Sequence, residues 1–125
     1  MPSSKRILDV GQCGFDGPRI GQLLTTEFNC TVDRAHSLKE ALTLAASKAY
    51  DLVLVNRLLA RDDSRGLDVI AALRVAHPRL QVMLVSNYEE AQEEAVKLGA
   101  LKGFGKSDLD SEATVELLRS ALGHS

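Results

Sequence analysis

Two short runs of consecutive apolar residues constrain the fold more than any other feature of this chain. Leu52–Val55 and Val82–Val85 each contain no polar residue. Runs of this length are typical of strands that are buried on both faces. Such strands occur in parallel sheets whose two faces are covered by helices. The sequence therefore predicts an α/β protein.

Three further segments complete the predicted set of strands. Ile7–Val10 resembles the two apolar runs, although Asp9 interrupts it. Cys30–Val32 is shorter and β-branched, and Leu101–Lys106 is the weakest candidate because it contains glycines. We expect these three segments to be the first, second and fifth strands.

Apolar residues at helical spacing follow each predicted strand. Ser37–Glu40 has the pattern of a capping box at the start of the second helix. The third helix should end before His77, because a residue that precedes proline avoids the helical region. Asn87 and Glu90 are predicted to begin the fourth helix. Its inward-facing residues are predicted to be Ala91, Ala95 and Leu98.

Five alternating strands and helices favour right-handed crossovers and helices on both sheet faces. We predict one domain over residues 1–125, a doubly wound flavodoxin-like (βα)5 three-layer sandwich with parallel strand order 2-1-3-4-5. The length of 125 residues and the hydrophobic content of 45% suit a single domain with one core.

Composition excludes several functional classes. Fifteen Lys and Arg residues against 17 Asp and Glu residues give a net charge of −2, which does not indicate nucleic-acid binding. No apolar run approaches the ~20 residues of a membrane span, and no signal-peptide core follows the first residues. Cys13 and Cys30 are compatible with reduced thiols, and the histidines make no metal-ligand spacing with them. We expect a cytoplasmic protein that binds neither nucleic acid nor membrane.

Ligands of open parallel sheets bind beyond the carboxyl ends of the strands. Four segments are predicted to reach that edge. They are Gly11–Gly14, Asn56–Arg57, Ser86–Asn87 and Lys106–Ser107.

From about Lys5 to Leu122 the chain resembles the receiver domains of two-component response regulators. The resemblance rests on the five β-α units, on Ser86, on the Gly99–Ala100 turn and on Lys106. It implies that a pair of acids after the first strand and an aspartate at the end of the third strand bind Mg²⁺. It also implies that this aspartate accepts a phosphoryl group, whose oxygens are contacted by Ser or Thr on the fourth strand and Lys on the fifth.

This sequence departs from the family at the acidic positions. The positions of the acid pair hold Gly11 and Gln12, and the phosphoacceptor position holds Asn56. An amide is a very poor nucleophile, whereas a carboxylate offers a charged oxygen lone pair. Mg²⁺ prefers hard anionic oxygen ligands, and phosphoryl transfer depends on that metal. We therefore expect no bound Mg²⁺, no other cofactor and no catalytic residue, so the chain is predicted not to be an enzyme.

The other positions of the family site are only partly retained. Ser86 and Lys106 are present as the residues that contact phosphate. The aromatic switch position aligns with Gly103, and Phe104 beside it should point to the opposite face of the sheet. Ser107 replaces a proline, so no cis peptide is expected there.

The remaining acids near the edge leave alternatives open. Asp9 should lie near a strand end or pair with Arg6 or Lys106, because an unpaired buried carboxylate is costly. It could also replace one lost acid. Lys106 is either a plain surface lysine or a partner of Asp9, or of Asn56 and Ser86. Asp62–Asp63, in a loop longer than the family's, are interpreted as solvated turn acids that could instead compensate for the missing ones.

The leading functional hypothesis is a receiver domain that no longer accepts phosphate and signals by binding a protein. The partner could be a sensor kinase, an output protein or a second copy of the chain. The resemblance implies a binding face on the fourth helix, fifth strand and fifth helix. Its predicted residues are Tyr88, Gln92, Val96, Lys102 and Arg119.

Two other hypotheses remain. The glycine-rich turn at Gly11, Gly14 and Gly17 could bind a nucleotide or another anion together with Ser86 and Lys106. In that case Asp33 has the spacing of a ribose-binding acid. Alternatively, the chain is a regulator that is phosphorylated at a rearranged site around Asp9 and Asp62.

Overall fold

A computed structural model describes residues 5–12, 16–57, 59, 65–109 and 111–122. It contains a five-stranded parallel sheet with the order β2-β1-β3-β4-β5, as the sequence predicts. The elements are β1 (Arg6–Val10), α1 (Asp16–Phe28), β2 (Thr31–Ala35), α2 (Leu38–Ser47), β3 (Leu52–Asn56), α3 (Gly66–Ala76), β4 (Val82–Val85), α4 (Glu89–Lys97), β5 (Leu101–Phe104), a 3-10 turn (Lys106–Asp108) and α5 (Glu112–Leu122).

The side chains of each strand alternate between two hydrophobic cores. On one face, Ile7 and Leu54 pack with apolar residues of α1 and α5. On the other face, Leu8 and Val53 pack with apolar residues of α2, α3 and α4. The three-layer architecture is therefore the one predicted. None of the helices in the described residues is long and apolar enough to cross a membrane.

Two helix boundaries follow the sequence signals. Ser37 caps α2, because its side-chain oxygen accepts a hydrogen bond from the backbone nitrogen of Glu40 at 3.1 Å. The carboxylate of Glu40 accepts a bond from the backbone nitrogen of His36 at 3.0 Å. Helix α3 ends at Ala76, just before His77 and the proline that follows it. Both predictions are confirmed.

Two strand boundaries differ from those predicted. Strand β2 begins after Cys30 and continues through Asp33 to Ala35, because five residues pair in register with β1. Strand β5 ends at Phe104, whereas the prediction extended it to Lys106. The chain then enters the 3-10 turn through Gly105, where a Cβ atom would overlap the side-chain oxygen of Asn87.

The start and the orientation of α4 also differ from the prediction. Tyr88, not Asn87, is the N-cap residue, and its side chain makes no capping hydrogen bond. The Asn87 side-chain oxygen instead accepts bonds from the backbone nitrogen and the hydroxyl of Ser107, at 3.3 and 3.0 Å. Ala95 is fully buried as predicted, but Leu98 is 40% exposed because it follows the last turn of the helix.

Candidate functional site

The carboxyl edge of the sheet brings Gly11 and Asn56 together. The Asn56 Nδ2 donates a hydrogen bond to the Gly11 carbonyl oxygen at 3.3 Å, which joins the ends of β1 and β3. Gly11 has φ +79°, and a Cβ atom there would lie 2.6 Å from Cγ of Leu59. Leu59 is 1% exposed and packs in the core on the α2–α3–α4 face. The edge is thus closed by an amide hydrogen bond and by a leucine that the sequence analysis did not single out.

Gln12 follows Gly11 and is 3% exposed. Its backbone oxygen accepts a hydrogen bond from Nη2 of Arg34 at 3.0 Å, which holds the end of β1 against β2. Neither the nitrogen nor the oxygen of its side-chain amide has a hydrogen-bond partner in the part of the chain that the structure describes. A buried amide without partners carries a desolvation cost of about 1–3 kcal/mol.

Asp9 lies deeper in the sheet than the edge. It is the fourth residue of β1, is 1% exposed and pairs in register with Leu54. This places it near the strand end, as predicted, and argues against a slip that would bring Asp9 to the position of Gly11. Arg6 is exposed and lies on the opposite face of the strand, so it is not the base beside Asp9. Asp62 and Asp63 lie outside the described residues.

Ser86 remains at the end of β4 and is 7% exposed. Its backbone nitrogen donates to the carbonyl oxygen of Phe104 at 2.9 Å, and its hydroxyl oxygen accepts from the backbone nitrogen of Tyr88 at 3.1 Å. The Lys106 backbone begins the 3-10 turn beyond β5. The Lys106 side chain is outside the described part of the structure, so its predicted partners stay a prediction.

Gln92 on α4 is buried and connects three backbone groups. It is 5% exposed. Its Nε2 donates to the carbonyl oxygens of Leu84 and Ser86 at 2.9 and 3.1 Å, and its Oε1 accepts from the nitrogen of Gly103 at 3.0 Å. One side chain therefore ties α4 to β4 and β5 where the register of that strand pair shifts. The prediction that Gln92 belongs to an exposed binding face is wrong, because it points into the fold.

Gly103 and Phe104 occupy opposite faces of β5, as the alternation of strand residues predicts. Phe104 is 5% exposed and packs in the α1–α5 core. At Gly103 a Cβ atom would overlap the carbonyl oxygen of Leu84, so the backbone of β4 occupies the space of a side chain. No aromatic residue fits at Gly103 without a shift of these two strands.

The structure describes only some of the predicted nucleotide-binding features. Gly14 lies outside the described residues, and Gly17 is the second residue of α1. Asp33 accepts a hydrogen bond from the Tyr50 hydroxyl at 2.8 Å and pairs with Lys48 at 3.3 Å, beside the amino end of β3. The role of Asp33 as a ribose-binding acid is therefore wrong. Among the described residues, no group of three or more His, Cys, Asp or Glu side chains is placed to hold a metal ion.

Other members of the predicted binding face are at the surface. Tyr88 is 61% and Val96 47% exposed, and Lys102 is exposed as well. Arg119 is partly exposed and forms an ion pair with Glu116 at 2.5 Å on the same helix. With Gln92 buried, the predicted face is interrupted at its centre.

Cys30 is a buried thiol that packs in the α1–α5 core. Burial, assisted by the charge of Asp51, raises its pKa to about 11. It is therefore protonated and unreactive at neutral pH. Cys13 lies outside the described residues.

The strand order and the polar edge define a doubly wound α/β protein of the flavodoxin-like class. Within that class, the sequence model of the response regulator receiver domain matches residues 18–118. The chain belongs to this family, whose members are signalling modules that work with kinases and output domains.

Solved structures of receiver proteins share the fold. The signal receiver domain of an HD domain-containing protein from Pseudomonas fluorescens Pf-5 is 24% identical, with a TM-score of 0.81 over 98% of this chain and 90% of that one. A response regulator from Burkholderia pseudomallei with a phosphorylated aspartic acid, a calcium ion and citrate is 26% identical, with a TM-score of 0.74 over 95% of this chain and 66% of that one.

The chain also matches NtrX from Brucella abortus at 22% identity and a TM-score of 0.79. The match covers 97% of this chain and 27% of NtrX, so the chain spans about a quarter of that protein's length. No curated protein sequence gives a significant match.

Proposed function

We propose that this receiver domain is not phosphorylated and signals through a constant conformation that a protein partner recognises. The observation that carries the proposal is the hydrogen bond from the Asn56 amide to the Gly11 carbonyl oxygen. A carboxylate at Asn56 could not donate this bond, and it would place its charge beside a carbonyl oxygen. The amide thus serves a structural purpose at the position where the family uses a nucleophile.

The packing around Gly11 supports the same proposal. The space into which an acidic side chain would project is occupied by Leu59, and the positive φ of Gly11 disfavours any side chain. With Gly11, Gln12 and Asn56 at the three acidic positions, no negative charge is available there to bind Mg²⁺. Phosphoryl transfer would lack both the nucleophile and the metal.

The region around Gln92 supports a constant conformation. A receiver that switches needs two arrangements of comparable free energy, which phosphorylation then biases. Here the Gln92 amide holds α4, β4 and β5 in one arrangement, and Gly103 has no side chain that could change its rotamer. The exposed residues Tyr88, Val96 and Lys102 are therefore presented to a partner in a fixed geometry.

Incubation with acetyl phosphate and Mg²⁺, followed by intact-mass measurement, tests the proposal. The wild type is expected to gain no phosphoryl group, while the Burkholderia pseudomallei regulator serves as the positive control. Asn56→Asp restores a carboxylate but not the acid pair, and we expect it to remain unmodified as well. A phosphoryl group on any wild-type carboxylate, including Asp9, Asp62 or Asp63, would overturn the proposal.

A small-anion site at the same edge is a second candidate, and the unpartnered amide of Gln12 is the observation that favours it. A ligand phosphate could accept a hydrogen bond from the Gln12 Nε2. Thermal unfolding with inorganic phosphate, ADP and ATP tests this candidate. It requires a rise in Tm that Gln12→Met abolishes, and no rise with any of the three compounds eliminates it.

A further inference from the structure

A groove lies between α3 and α4, and Tyr88 is the residue that it shares with the predicted α4–β5–α5 face. At its end near the carboxyl edge it forms a cavity of about 290 Å³. Its floor contains Leu67, Ala71 and Ala91, and Leu98 closes the far end. The two alanines leave room for another helix to approach closely, since small side chains reduce the distance between helix axes.

The rim of the groove carries equal numbers of positive and negative side chains. The positive ones are Arg57, Arg65 and Lys97, and the negative ones are Asp68, Glu90 and Glu94. None of these six is in an ion pair with another described residue. The Arg57 guanidinium is held 4.7 Å from the ring centre of Tyr88, at the edge end of the groove.

Two of the residues predicted on the α4–β5–α5 surface are engaged within the fold. Gln92 is consumed by backbone hydrogen bonds, and Arg119 is paired with Glu116 of its own helix. Tyr88 and Leu98, in contrast, are 61% and 40% exposed at the two ends of the groove. Charged side chains without an ion-pair partner among the described residues and exposed apolar surface therefore coincide along α3 and α4.

We propose that the α3–α4 groove binds a second copy of this chain. In a two-fold dimer the same patch meets itself, so a patch of balanced charge is complementary to its own copy. Helix α4 is the ridge beside the groove, and each copy's α4 lies in the groove of the other. Arg57 and Arg65 of one copy then face Glu90 and Glu94 of its partner. A partner with mainly positive or mainly negative side chains would leave half of the charged rim residues without an oppositely charged neighbour.

Sedimentation equilibrium over a concentration series tests the proposal on the full chain. We expect a monomer–dimer equilibrium that weakens as salt is raised, because the rim charges are exposed. A monomer at every concentration and salt condition overturns the proposal. It would leave the proposed absence of phosphorylation intact, since acetyl phosphate tests that separately.

Reversing the charges on the rim of the α3–α4 groove tests whether this groove is the dimer interface. The pair R57E/R65E and the pair E90R/E94R are each expected to raise the dissociation constant at least about tenfold. An equimolar mixture of the two variants should restore association, because opposite charges face each other again. The matched control E116R/R119E reverses an existing pair on α5 and should leave the dissociation constant unchanged.

Each alternative result has a definite meaning. Association that survives both groove reversals, or that is lost in the α5 control, assigns the dimer to another face and overturns the proposal. Failure of the mixture to associate while both variants remain folded by circular dichroism also overturns it. Leu98→Ala supplies an uncharged test, since Leu98 is 40% exposed at the far end of the groove and its loss should weaken the dimer without changing net charge.

Discussion

Two buried glutamines near the same edge of the sheet have opposite surroundings. Gln92 is 5% exposed and makes three hydrogen bonds to backbone groups of β4 and β5 and the residue that follows β4. Gln12 is 3% exposed, and its side-chain amide makes none within the described residues. Burial alone therefore does not show whether a polar side chain raises or lowers the free energy of unfolding, because that depends on whether it has hydrogen-bond partners.

The contrast separates the two halves of the edge. The β4–β5 half is held together by side-chain amides, since Asn87 also joins the start of α4 to Ser107. The β1–β3 half is closed by Asn56 and Leu59. It also contains the Gln12 side-chain amide, which makes no hydrogen bond within the described residues. The side-chain amides of the first half are therefore satisfied by hydrogen bonds, whereas the second half contains a buried side-chain amide without a partner among the described residues.

The largest effect is expected for Gln92→Leu. This substitution leaves the carbonyl oxygens of Leu84 and Ser86 and the nitrogen of Gly103 without their partner, and we expect a loss of about 3 kcal/mol in the free energy of unfolding. Urea denaturation measures it. Gln22→Leu is the matched control on the exposed face of α1 and should change stability by less than about 0.5 kcal/mol. Equal losses of stability in the two variants would show that the three hydrogen bonds of Gln92 do not stabilise the fold.

The next largest loss of stability is expected for Gly103→Ala. Its added methyl group would overlap the Leu84 carbonyl oxygen, so the pairing of β4 and β5 must shift, and we expect a loss of about 2 kcal/mol. Gly21→Ala in α1 is the control, because no other atom lies near its Cβ position, and it should stabilise by about 0.5 kcal/mol. A neutral Gly103→Ala in chemical denaturation would show that β5 tolerates movement.

Gln12→Met should have the opposite sign. Methionine has a similar shape and no amide to desolvate, so we expect a gain of about 1 kcal/mol in thermal or urea unfolding. The same substitution at Gln81 is the control, because the Gln81 Nε2 donates to the carbonyl oxygens of Asp51 and Ala121 at 3.1 and 2.6 Å. Gln81→Met should destabilise, and a loss at both positions would contradict the comparison.

The smallest expected effect is a pH dependence of stability. It distinguishes the hydrogen bonds of the glutamine amides, which do not titrate, from the hydrogen bond between Asp33 and Tyr50, which do. The Tyr50 hydroxyl lowers the pKa of Asp33 by hydrogen bonding, and burial raises the pKa of Tyr50 to about 12. A lowered carboxyl pKa contributes stability above its usual range that is lost as pH falls through the folded value. A raised phenol pKa contributes stability that is lost as pH rises from about 10 to about 12.

Tyr50→Phe is therefore expected to destabilise by about 1 kcal/mol near pH 7 and by less at pH 3, allowing for partial exposure of Asp33. Tm measured at both pH values against wild type tests this. Amides do not titrate, so the differences caused by Gln92→Leu and Gln12→Met should stay constant over the same range. A Tyr50→Phe difference that does not change with pH would contradict the assignment.

Most of the fold could be predicted from the sequence because its signals are local. The apolar runs that became β3 and β4, the Ser37 cap and the proline after His77 each act within a few residues. The boundaries that failed depend on distant partners. Strand β2 is extended by pairing with β1, and α4 starts late because Asn87 bonds Ser107, 20 residues away.

The candidate site was predictable in position but not in its contacts. The carboxyl edge follows from strand order, and Asn56 follows from the end of the apolar run. The roles of Leu59 and Gln92 depend on which way their side chains point after packing. A signal for Gln92 was present, because it lies three residues before the buried Ala95 and shares its side of α4. A glutamine on the buried side of a helix can remain buried when backbone groups nearby accept or donate its hydrogen bonds, as those of Leu84, Ser86 and Gly103 do here.

The close fit of Leu59 over Gly11 has a consequence for any attempt to place an acidic side chain at Gly11. An acidic substitution at Gly11 would have to come after the leucine is replaced by a smaller residue, because the reverse order introduces a steric clash in a left-handed backbone conformation. Engineering at this position would therefore have to follow an ordered path of at least two substitutions.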